Sequence, residues 1–182
     1  IGVISRLSDF KGMDLITQSF PELMKMDLQL ILLGTGDRKY HQAFEKLASK
    51  YPDKCACFLG FSDELAHLIE AGTDMFLMPS KYEPCGLNQM YSLRYGTVPI
   101  VRNTGGLADT IVDYRKPNGN GFLFNKYDSG ELLKIIQTAL NMFKNDKAKW
   151  NKLLRQGMSL DFSWKVSAKK YMKLYKNISG LK

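Results

Sequence analysis

Two basic residues lie in the first loop of the chain, where they could act on one ligand. Arg6 and Lys11 fall within residues 5–12, between an apolar run of strand length and the start of a helical pattern. A planar guanidinium and a mobile ammonium together suit the charge and shape of a diphosphate. Both residues could instead be solvated surface charges, and this loop alone does not decide between the two interpretations.

A carboxylate, Glu83, stands directly before Pro-Cys-Gly and a further helical pattern. The first backbone N–H groups of a helix have no partner within it, so those of residues 85–88 would face one space. Free N–H groups at a helix start bind anions, and a carboxylate accepts hydrogen bonds from sugar hydroxyls. The segment therefore predicts a site for an anion and a sugar. The alternative interpretation is that Glu83 only caps the helix.

Two further loops contain pairs of glycines. Residues 34–37 are Gly-Thr-Gly-Asp, which resembles only the beginning of a dinucleotide-binding pattern, because Lys39 stands where the third glycine would be. Gly34 is interpreted either as part of a tight turn with positive φ or as a point of close backbone approach to a ligand. Gly105 and Gly106 lie in the loop after the fifth predicted strand, on the same rim.

These loops belong to an alternation of strands and helices. The predicted strands are the apolar runs at residues 2–5, 28–33, 55–59, 75–78, 98–101 and 121–124. The continuous runs at 30–33 and 75–78 are typical of parallel strands that are covered on both faces. The alternation predicts one α/β domain over residues 1–182, with a Rossmann-like, mostly parallel sheet and helices on both faces. In such a sheet, ligands bind beyond the carboxyl ends of the strands.

Composition excludes several classes of protein. The chain has 182 residues, of which 45% are hydrophobic and 24% charged, enough for one domain with a core. No run approaches the roughly 18 apolar residues of a membrane span, and no signal-peptide pattern opens the chain, so no membrane partner is predicted. Cys55, Cys57 and Cys85 are too few for a disulfide framework and are interpreted as thiols in a reducing, cytosolic compartment.

The net charge of +8 comes from the last third of the chain. Residues 1–125 contain 13 Lys and Arg against 14 Asp and Glu, whereas residues 126–182 contain 13 against 4. Four aromatic residues in this part have helical spacings that favour packing: Trp150, Trp164, Tyr171 and Tyr175. The excess lysines are therefore interpreted as solvated helix faces, and no nucleic-acid partner is predicted.

Several motifs together resemble the carboxyl-terminal half of bacterial glycogen synthases and plastid starch synthases. In chain order they are Ser5-Arg6-Leu7 with Lys11-Gly12, Gly34-Thr35-Gly36-Asp37, Leu65-Ala66-His67, Tyr82-Glu83-Pro84-Cys85-Gly86-Leu87, Arg94-Tyr95-Gly96-Thr97, Thr104-Gly105-Gly106-Leu107-Ala108-Asp109-Thr110 and Asp161-Phe162-Ser163-Trp164. The Glu-Pro-Cys-Gly-Leu block separates this family from other retaining glycosyltransferases of the same two-domain fold. Those relatives commonly carry a second glutamate where this chain has Tyr91.

The resemblance implies one half of a GT-B enzyme, with the active site in the cleft between two Rossmann-like domains. This chain would be the donor-binding domain, and the amino-terminal acceptor domain would be absent from it. The implied reaction transfers glucose from ADP-glucose to the 4-hydroxyl at the non-reducing end of an α-1,4-glucan, with retention of configuration. The expected partners are ADP-glucose or ADP and, through the missing domain, the glucan, so the isolated chain is expected to be inactive.

The resemblance also implies roles for particular residues. Arg6 and Lys11 would grip the diphosphate, and Glu83 would bind hydroxyls of the donor glucose. The residues expected to contact the nucleotide sugar are Gly34, Phe61, Cys85, Gly86, Leu87, Asn88, Gly105 and Gly106. Phe61 would stack on adenine at a place where the family usually has tyrosine. No metal or other cofactor is implied, and the expected compartment is the cytoplasm, or the plastid for a plant starch synthase.

Two other functions remain open on the sequence. The chain could belong to a related glycosyltransferase that uses another donor, such as UDP-glucose. It could also be a nucleotide- or glucan-binding module without catalysis. Ligand preference separates the three functions. Preference for ADP would favour the synthase, and preference for UDP would favour the related glycosyltransferase. Binding of glucan without nucleotide would favour the binding module.

Overall fold

Six short apolar segments form a fully parallel sheet in the computed structural model, which describes residues 1–179. The strands are β1 (Gly2–Ile4), β2 (Leu30–Leu33), β3 (Cys55–Phe58), β4 (Met75–Met78), β5 (Val98–Arg102) and β6 (Phe122–Phe124). Their order across the sheet is β3-β2-β1-β4-β5-β6, and each neighbouring pair is parallel. Each strand overlaps a predicted run, which confirms the α/β class and the parallel sheet.

The helices described lie between and after these strands. They are α1 (Met13–Leu23), α2 (Arg38–Lys50), α3 (Asp63–Gly72), α4 (Asn88–Tyr95), α5 (Gly105–Thr110), α6 (Ser129–Asn145), α7 (Lys147–Met158) and α8 (Trp164–Ser179). Side chains cap three of them, as expected for Ser and Asp at these positions: the Ser62, Asp128 and Asp146 oxygens accept from backbone N–H groups three residues later. Within residues 1–179, no helix combines the length and apolar character needed to cross a membrane.

Helices cover both faces of the sheet. Along β5, Ile100 belongs to a large buried cluster with Ile16 of α1, whereas the next residue, Val101, packs with Leu93 of α4 and Leu107 of α5. Successive strand residues point to opposite faces, so the two clusters mark the two faces. Double coverage explains why the strands are continuous apolar runs.

The prediction of packed aromatic residues in the last third is correct for only one of the four. Trp150 is buried, with its ring 5.1 Å from that of Phe143. Trp164, Tyr171 and Tyr175 are exposed, and none of the described residues of α8 is buried. Helical spacing indicates that one face of α8 is apolar, but it does not say what covers that face.

The order of the strands places a crevice between β1 and β4. The chain builds the sheet outward from β1 through β2 and β3, then returns to β4 on the other side. Loops that follow the two strands at such a reversal separate, and ligands of open α/β sheets bind in the gap at their carboxyl ends. The loop after β1 contains Arg6 and Lys11, and the loop after β4 contains Glu83.

Candidate functional site

Lys11 and Glu83 meet at this crevice as an ion pair. The Lys11 Nζ lies 2.5 Å from the Glu83 Oε2, and the two side chains are 31% and 7% exposed. The buried Ser80 Oγ donates to the same Oε2 at 3.1 Å. Within residues 1–179, the other oxygen, Oε1, accepts no hydrogen bond. The carboxylate is therefore fixed by one oxygen and leaves the other for a ligand.

The interpretation of Glu83 as a helix cap is wrong. Leu87 occupies the N-cap position of α4, and no side chain caps that helix. The Glu83 carboxylate instead contacts Lys11 and Ser80. The buried charge is thus compensated across the crevice, by a residue from another loop, rather than within its own helix.

The two loops that carry this pair are joined at two further points. Gly12 has a φ of 75°, and a Cβ there would lie 2.2 Å from the Pro79 carbonyl oxygen. The backbone N–H of Lys81 donates to the Phe10 carbonyl at 2.8 Å. Because glycine alone tolerates both the positive φ and the close contact, Gly12 lets the Lys11 backbone pass directly beside the end of β4.

Tyr127 supports the same loop from the other side. Its hydroxyl donates to the Asp14 carboxylate at 2.5 Å and to the Asp9 carbonyl at 3.1 Å. Burial, followed by the hydrogen bond to Asp14, raises the pKa of Tyr127. The hydrogen bond from Lys39 is the main cause that lowers the pKa of Asp9. Charged and neutral hydrogen bonds thus fix the turn Asp9–Lys11, which ends in Lys11.

Arg102, at the end of β5, supports the loop of Glu83. Its Nε donates to the Ser80 carbonyl at 2.8 Å, its Nη1 to the Asn125 carbonyl at 3.3 Å, and its Nη2 to the Lys81 carbonyl. Sequence reasoning missed this role, although an arginine that ends a buried strand at the ligand edge was a usable signal. The role of Ser80 was also missed, because only the three-dimensional structure shows that its side chain contacts the Glu83 carboxylate.

Gly105 and Gly106 bring the start of α5 against the backbone of the Glu83 loop. The Gly106 N–H donates to the Glu83 carbonyl at 3.0 Å. A Cβ at Gly105 would lie 2.0 Å from that carbonyl oxygen, and one at Gly106 would lie 1.9 Å from the Cys85 carbonyl oxygen. Any side chain would push the loop away, so these glycines set the position of Glu83.

Gln89 supports the turn after Glu83 from beneath. It is fully buried, and its Nε2 donates to the carbonyls of Cys85 and Gly86 at 3.2 and 3.1 Å and to the Thr110 Oγ1 at 3.2 Å. Gly86 has a φ of 74°, and a Cβ there would lie 2.6 Å from the Gln89 Oε1. Gly86 thus leaves room for the buried amide of Gln89, and that amide in turn donates hydrogen bonds to the carbonyls of the turn.

The start of α4 faces the same crevice, as predicted. Within residues 1–179, the backbone N–H groups of residues 85–88 donate no hydrogen bond. The Asn88 side chain donates to the Ile4 carbonyl at 3.1 Å, which ties α4 to the end of β1. Residues 86–88, whose N–H groups are unpaired, line one cavity with Arg6 and Lys11, which makes the site suited to an anion.

A cavity of about 190 Å³ connects these groups. Of the predicted site residues, those that line it are Arg6, Lys11, Glu83, Gly86, Leu87 and Asn88. Ligand pockets usually measure roughly 300–1,000 Å³, so this cavity can hold only part of a nucleotide sugar. Since cations, free N–H groups and a carboxylate line it, the cavity suits an anionic group with hydroxyl groups beside it.

The other predicted residues, Gly34, Phe61, Cys85, Gly105 and Gly106, lie outside the cavity lining. Phe61 is 86% exposed in the loop after β3, so it is not a core residue. Gly34 has no positive φ, so the tight-turn interpretation is wrong. A Cβ at Gly34 would lie 2.0 Å from the Ser5 carbonyl oxygen, so this glycine allows the loops after β1 and β2 to touch.

The site contains positive charge without an acidic cluster. Arg6 is exposed at the cavity wall, and the Lys11 ammonium is partly exposed beside Glu83. Among residues 1–179, no three His, Cys, Asp or Glu side chains come close enough to hold a metal ion. The arrangement can bind an anion at the start of α4 and accept hydrogen bonds from a polyol at Glu83.

Comparisons with known proteins identify a family for most of the chain. Residues 1–156 match the family described as glycosyl transferases group 1. A glycogen synthase from Thermosipho africanus is 51% identical over 177 residues, which are 96% of this chain and 36% of that protein. A glycogen synthase from Desulforudis audaxviator is 48% identical over 179 residues, which are 97% of this chain and 36% of that protein.

A solved structure is similar over the same length. The catalytic domain of starch synthase IV from Arabidopsis thaliana, bound to ADP and acarbose, has a TM-score of 0.88 and 36% identity. The match covers 97% of this chain and 37% of that chain. The chain therefore spans little more than a third of the relatives it matches. On the match over residues 1–156, it belongs to the glycosyl transferase group 1 family.

Proposed function

We propose that this chain forms the donor-binding half of a retaining glucosyltransferase. The enzyme would transfer glucose from ADP-glucose to the 4-hydroxyl at the non-reducing end of an α-1,4-glucan. The observation that carries the proposal is the Lys11–Glu83 pair, which puts a cation and a carboxylate beside the free N–H groups of residues 85–88. Similarity to glycogen synthases, and to a starch synthase solved with ADP and acarbose, supports the choice of substrates.

Arg6, Lys11 and the N–H groups at the start of α4 would bind the diphosphate. As the glycosidic bond breaks, negative charge grows on the oxygen that stays with ADP. Groups that are already aimed at that oxygen stabilise the transition state more than the ground state. In this proposal the positive charge comes from these side chains and amides rather than from a metal ion.

Glu83 would bind the glucose through hydrogen bonds from its hydroxyls. Within residues 1–179, Oε1 accepts no hydrogen bond and is available to the sugar, whereas Oε2 accepts the hydrogen bond from Ser80. A hydrogen bond to a charged group is worth roughly 1.5–3 kcal/mol, enough to fix the orientation of the sugar. Phe61, at the other end of the site, would stack on adenine with its exposed ring.

The acceptor would be bound by a second domain across the cleft. Holding two reactants together can supply roughly 7–11 kcal/mol of the barrier in favourable cases, and one side of a cleft cannot provide this. The 182-residue chain alone is therefore expected to fold and to transfer no glucose. Incubation with radiolabelled ADP-glucose and glycogen tests this, and sustained incorporation into polymer would contradict it.

The proposed compartment is the cytoplasm. Cys55, Cys57 and Cys85 are all free thiols in the structure. Thiols without a disulfide framework are typical of reducing compartments, where structural disulfides are rare.

The choice of nucleotide is tested by titration calorimetry. We expect the chain to bind ADP-glucose and ADP more tightly than UDP-glucose and UDP. A preference for the uridine nucleotides would favour a related glycosyltransferase with another donor. Binding of maltoheptaose without binding of any nucleotide would favour a glucan-binding module and would contradict the proposal.

A further inference from the structure

We infer that Glu83 competes with the diphosphate for Lys11, and that the site thereby favours the intact sugar nucleotide over the free nucleoside diphosphate. The inference rests on the proposed function and adds a specificity role to a residue assigned so far only to sugar binding. The Lys11 ammonium forms an ion pair with the Glu83 carboxylate, with Nζ 2.5 Å from Oε2.

The two anions would share one small cavity. Glu83, Lys11 and the start of α4 line the same space of about 190 Å³. Lys11 comes from the loop after β1 and is 31% exposed, so its flexible side chain can turn toward a phosphate. Glu83 is 7% exposed, and Ser80 fixes it from behind, so it cannot follow. A diphosphate that takes Lys11 therefore leaves a buried carboxylate without its cation.

The cost of that loss depends on whether a sugar is present. An uncompensated buried charge is strongly unfavourable, and removing one partner of a buried pair is the usual way to create it. With ADP alone, nothing replaces the ammonium at Glu83. With ADP-glucose, the sugar hydroxyls donate to the carboxylate at the moment Lys11 turns away. Glu83 thus opposes ADP binding and favours binding of the sugar nucleotide.

The same exchange has a consequence after glucose transfer. Once the sugar has left, ADP remains beside a carboxylate that keeps the Ser80 hydroxyl but has lost the donors of the sugar. Return of Lys11 to Glu83 then restores the resting pair and weakens the hold on ADP. The ion pair of the free protein is, in this view, the state that favours product release.

Titration calorimetry on the 182-residue chain tests the inference with ADP and ADP-glucose as probes. Glu83→Gln keeps the shape of the side chain and removes the charge. We expect this variant to bind ADP severalfold to about tenfold more tightly than wild type, the upper value being about 1.4 kcal/mol. The preference for ADP-glucose over ADP should fall by at least the same factor. Glu70→Gln, which replaces another buried glutamate that does not line the cavity, should change neither affinity.

A second measurement does not depend on any variant of Glu83. The side-chain ammonium of Lys11 can be followed by ¹⁵N NMR in the wild-type chain, with Lys11→Arg used for assignment. We expect its resonance to move on addition of ADP, because the ammonium exchanges a carboxylate for a phosphate partner. An unmoved resonance at saturating ADP would overturn the inference.

The outcomes separate this inference from the proposed function. If the wild-type chain binds ADP and Glu83→Gln binds it equally or more weakly, the competition does not exist, while the donor site itself stands. If the wild-type chain binds neither ADP nor ADP-glucose, the proposed function fails and this inference fails with it.

Discussion

Each edge of the parallel sheet contains a buried glutamate, Glu83 at the carboxyl edge and Glu70 at the amino edge. Their side chains are 7% and 3% exposed. Glu83 has an ammonium at 2.5 Å and a serine hydroxyl at 3.1 Å. Among residues 1–179, the ion-pair partner of the Glu70 carboxylate is the His67 imidazole alone, at 3.8 Å, and burial raises the pKa of Glu70 to about 7. Similar burial is therefore combined with a close cation at Glu83 and with a raised pKa at Glu70.

The surroundings of the two residues explain the difference. At the amino edge, α3 ends against the start of β1 and β5, and the Thr97 hydroxyl donates to the Glu70 and Thr73 carbonyls. These hydrogen bonds go to backbone carbonyl groups and hold packed elements together. At the carboxyl edge, the loops after two strands, β1 and β4, bring charges and unpaired N–H groups around one cavity. On the proposed function, the carboxyl edge serves to bind a ligand, whereas the contacts of the amino edge serve stability.

The largest expected effect is a difference in stability between two Gly→Ala variants, one at each edge of the sheet. Gly106→Ala should lower the free energy of unfolding by at least about 3 kcal/mol, because the new Cβ would lie 1.9 Å from a backbone oxygen. Gly72→Ala, at the end of α3, meets nothing within 4 Å and should raise it by about 0.5–1 kcal/mol. Urea unfolding of both variants measures the contrast. Equal stabilities would show that the Glu83 loop is not held as described.

The next effect concerns pH and the amino edge. Between pH 4.5 and about 7 the folded chain keeps a proton on Glu70 that the unfolded chain has released. The free energy of unfolding should therefore fall as the pH rises through this window, by roughly 2–3 kcal/mol. Glu70→Gln should remove this part of the pH dependence and be more stable than wild type at pH 8.

Urea midpoints at pH 5 and pH 8 check this prediction. Glu64→Gln is the matched control, because Glu64 is an exposed carboxylate in the first turn of the same helix, α3. It should keep the wild-type pH dependence. If Glu70→Gln also kept that dependence, the two buried glutamates would not differ as the comparison requires.

The smallest expected effect measures how far the binding edge extends toward β3. Phe61→Ala should weaken ADP binding by about 0.5–1.5 kcal/mol, the usual contribution of aromatic stacking beyond area burial. Phe61→Tyr should leave the affinity nearly unchanged. Calorimetry that gave the same affinity for all three proteins would limit the site to the crevice between β1 and β4.

Strand positions could be predicted from the sequence because a strand that helices cover on both faces is a continuous apolar run. Residues 75–78 and 98–101 are continuous apolar runs, since each of their faces lies under helices. The ligand edge followed from the rule that loops after parallel strands share one side of the sheet. Arg6, Lys11 and Glu83 were placed there correctly on that ground alone.

Contacts between distant loops could not be predicted in this way. Lys11 and Glu83 are 72 residues apart, and each was given a separate role toward a ligand. That they bind each other depends on β1 lying beside β4, which no local pattern records. The same limit applies to Gly34 and Gly106, where glycine is required because the backbone of another segment lies too close for a Cβ. It also applies to α8, because the spacing of its apolar residues predicts an apolar face but not what packs against that face.

The central claim is that the carboxyl edge around Lys11 binds the diphosphate of a nucleotide. Titration of wild type, Lys11→Met and Lys25→Met with ADP tests it most directly, since Lys25 pairs with Glu22 on the surface and lies outside the cavity lining. We expect Lys11→Met to bind ADP at least about tenfold more weakly than wild type, and Lys25→Met to bind it equally well. Equal affinity of Lys11→Met and wild type for ADP would contradict the account.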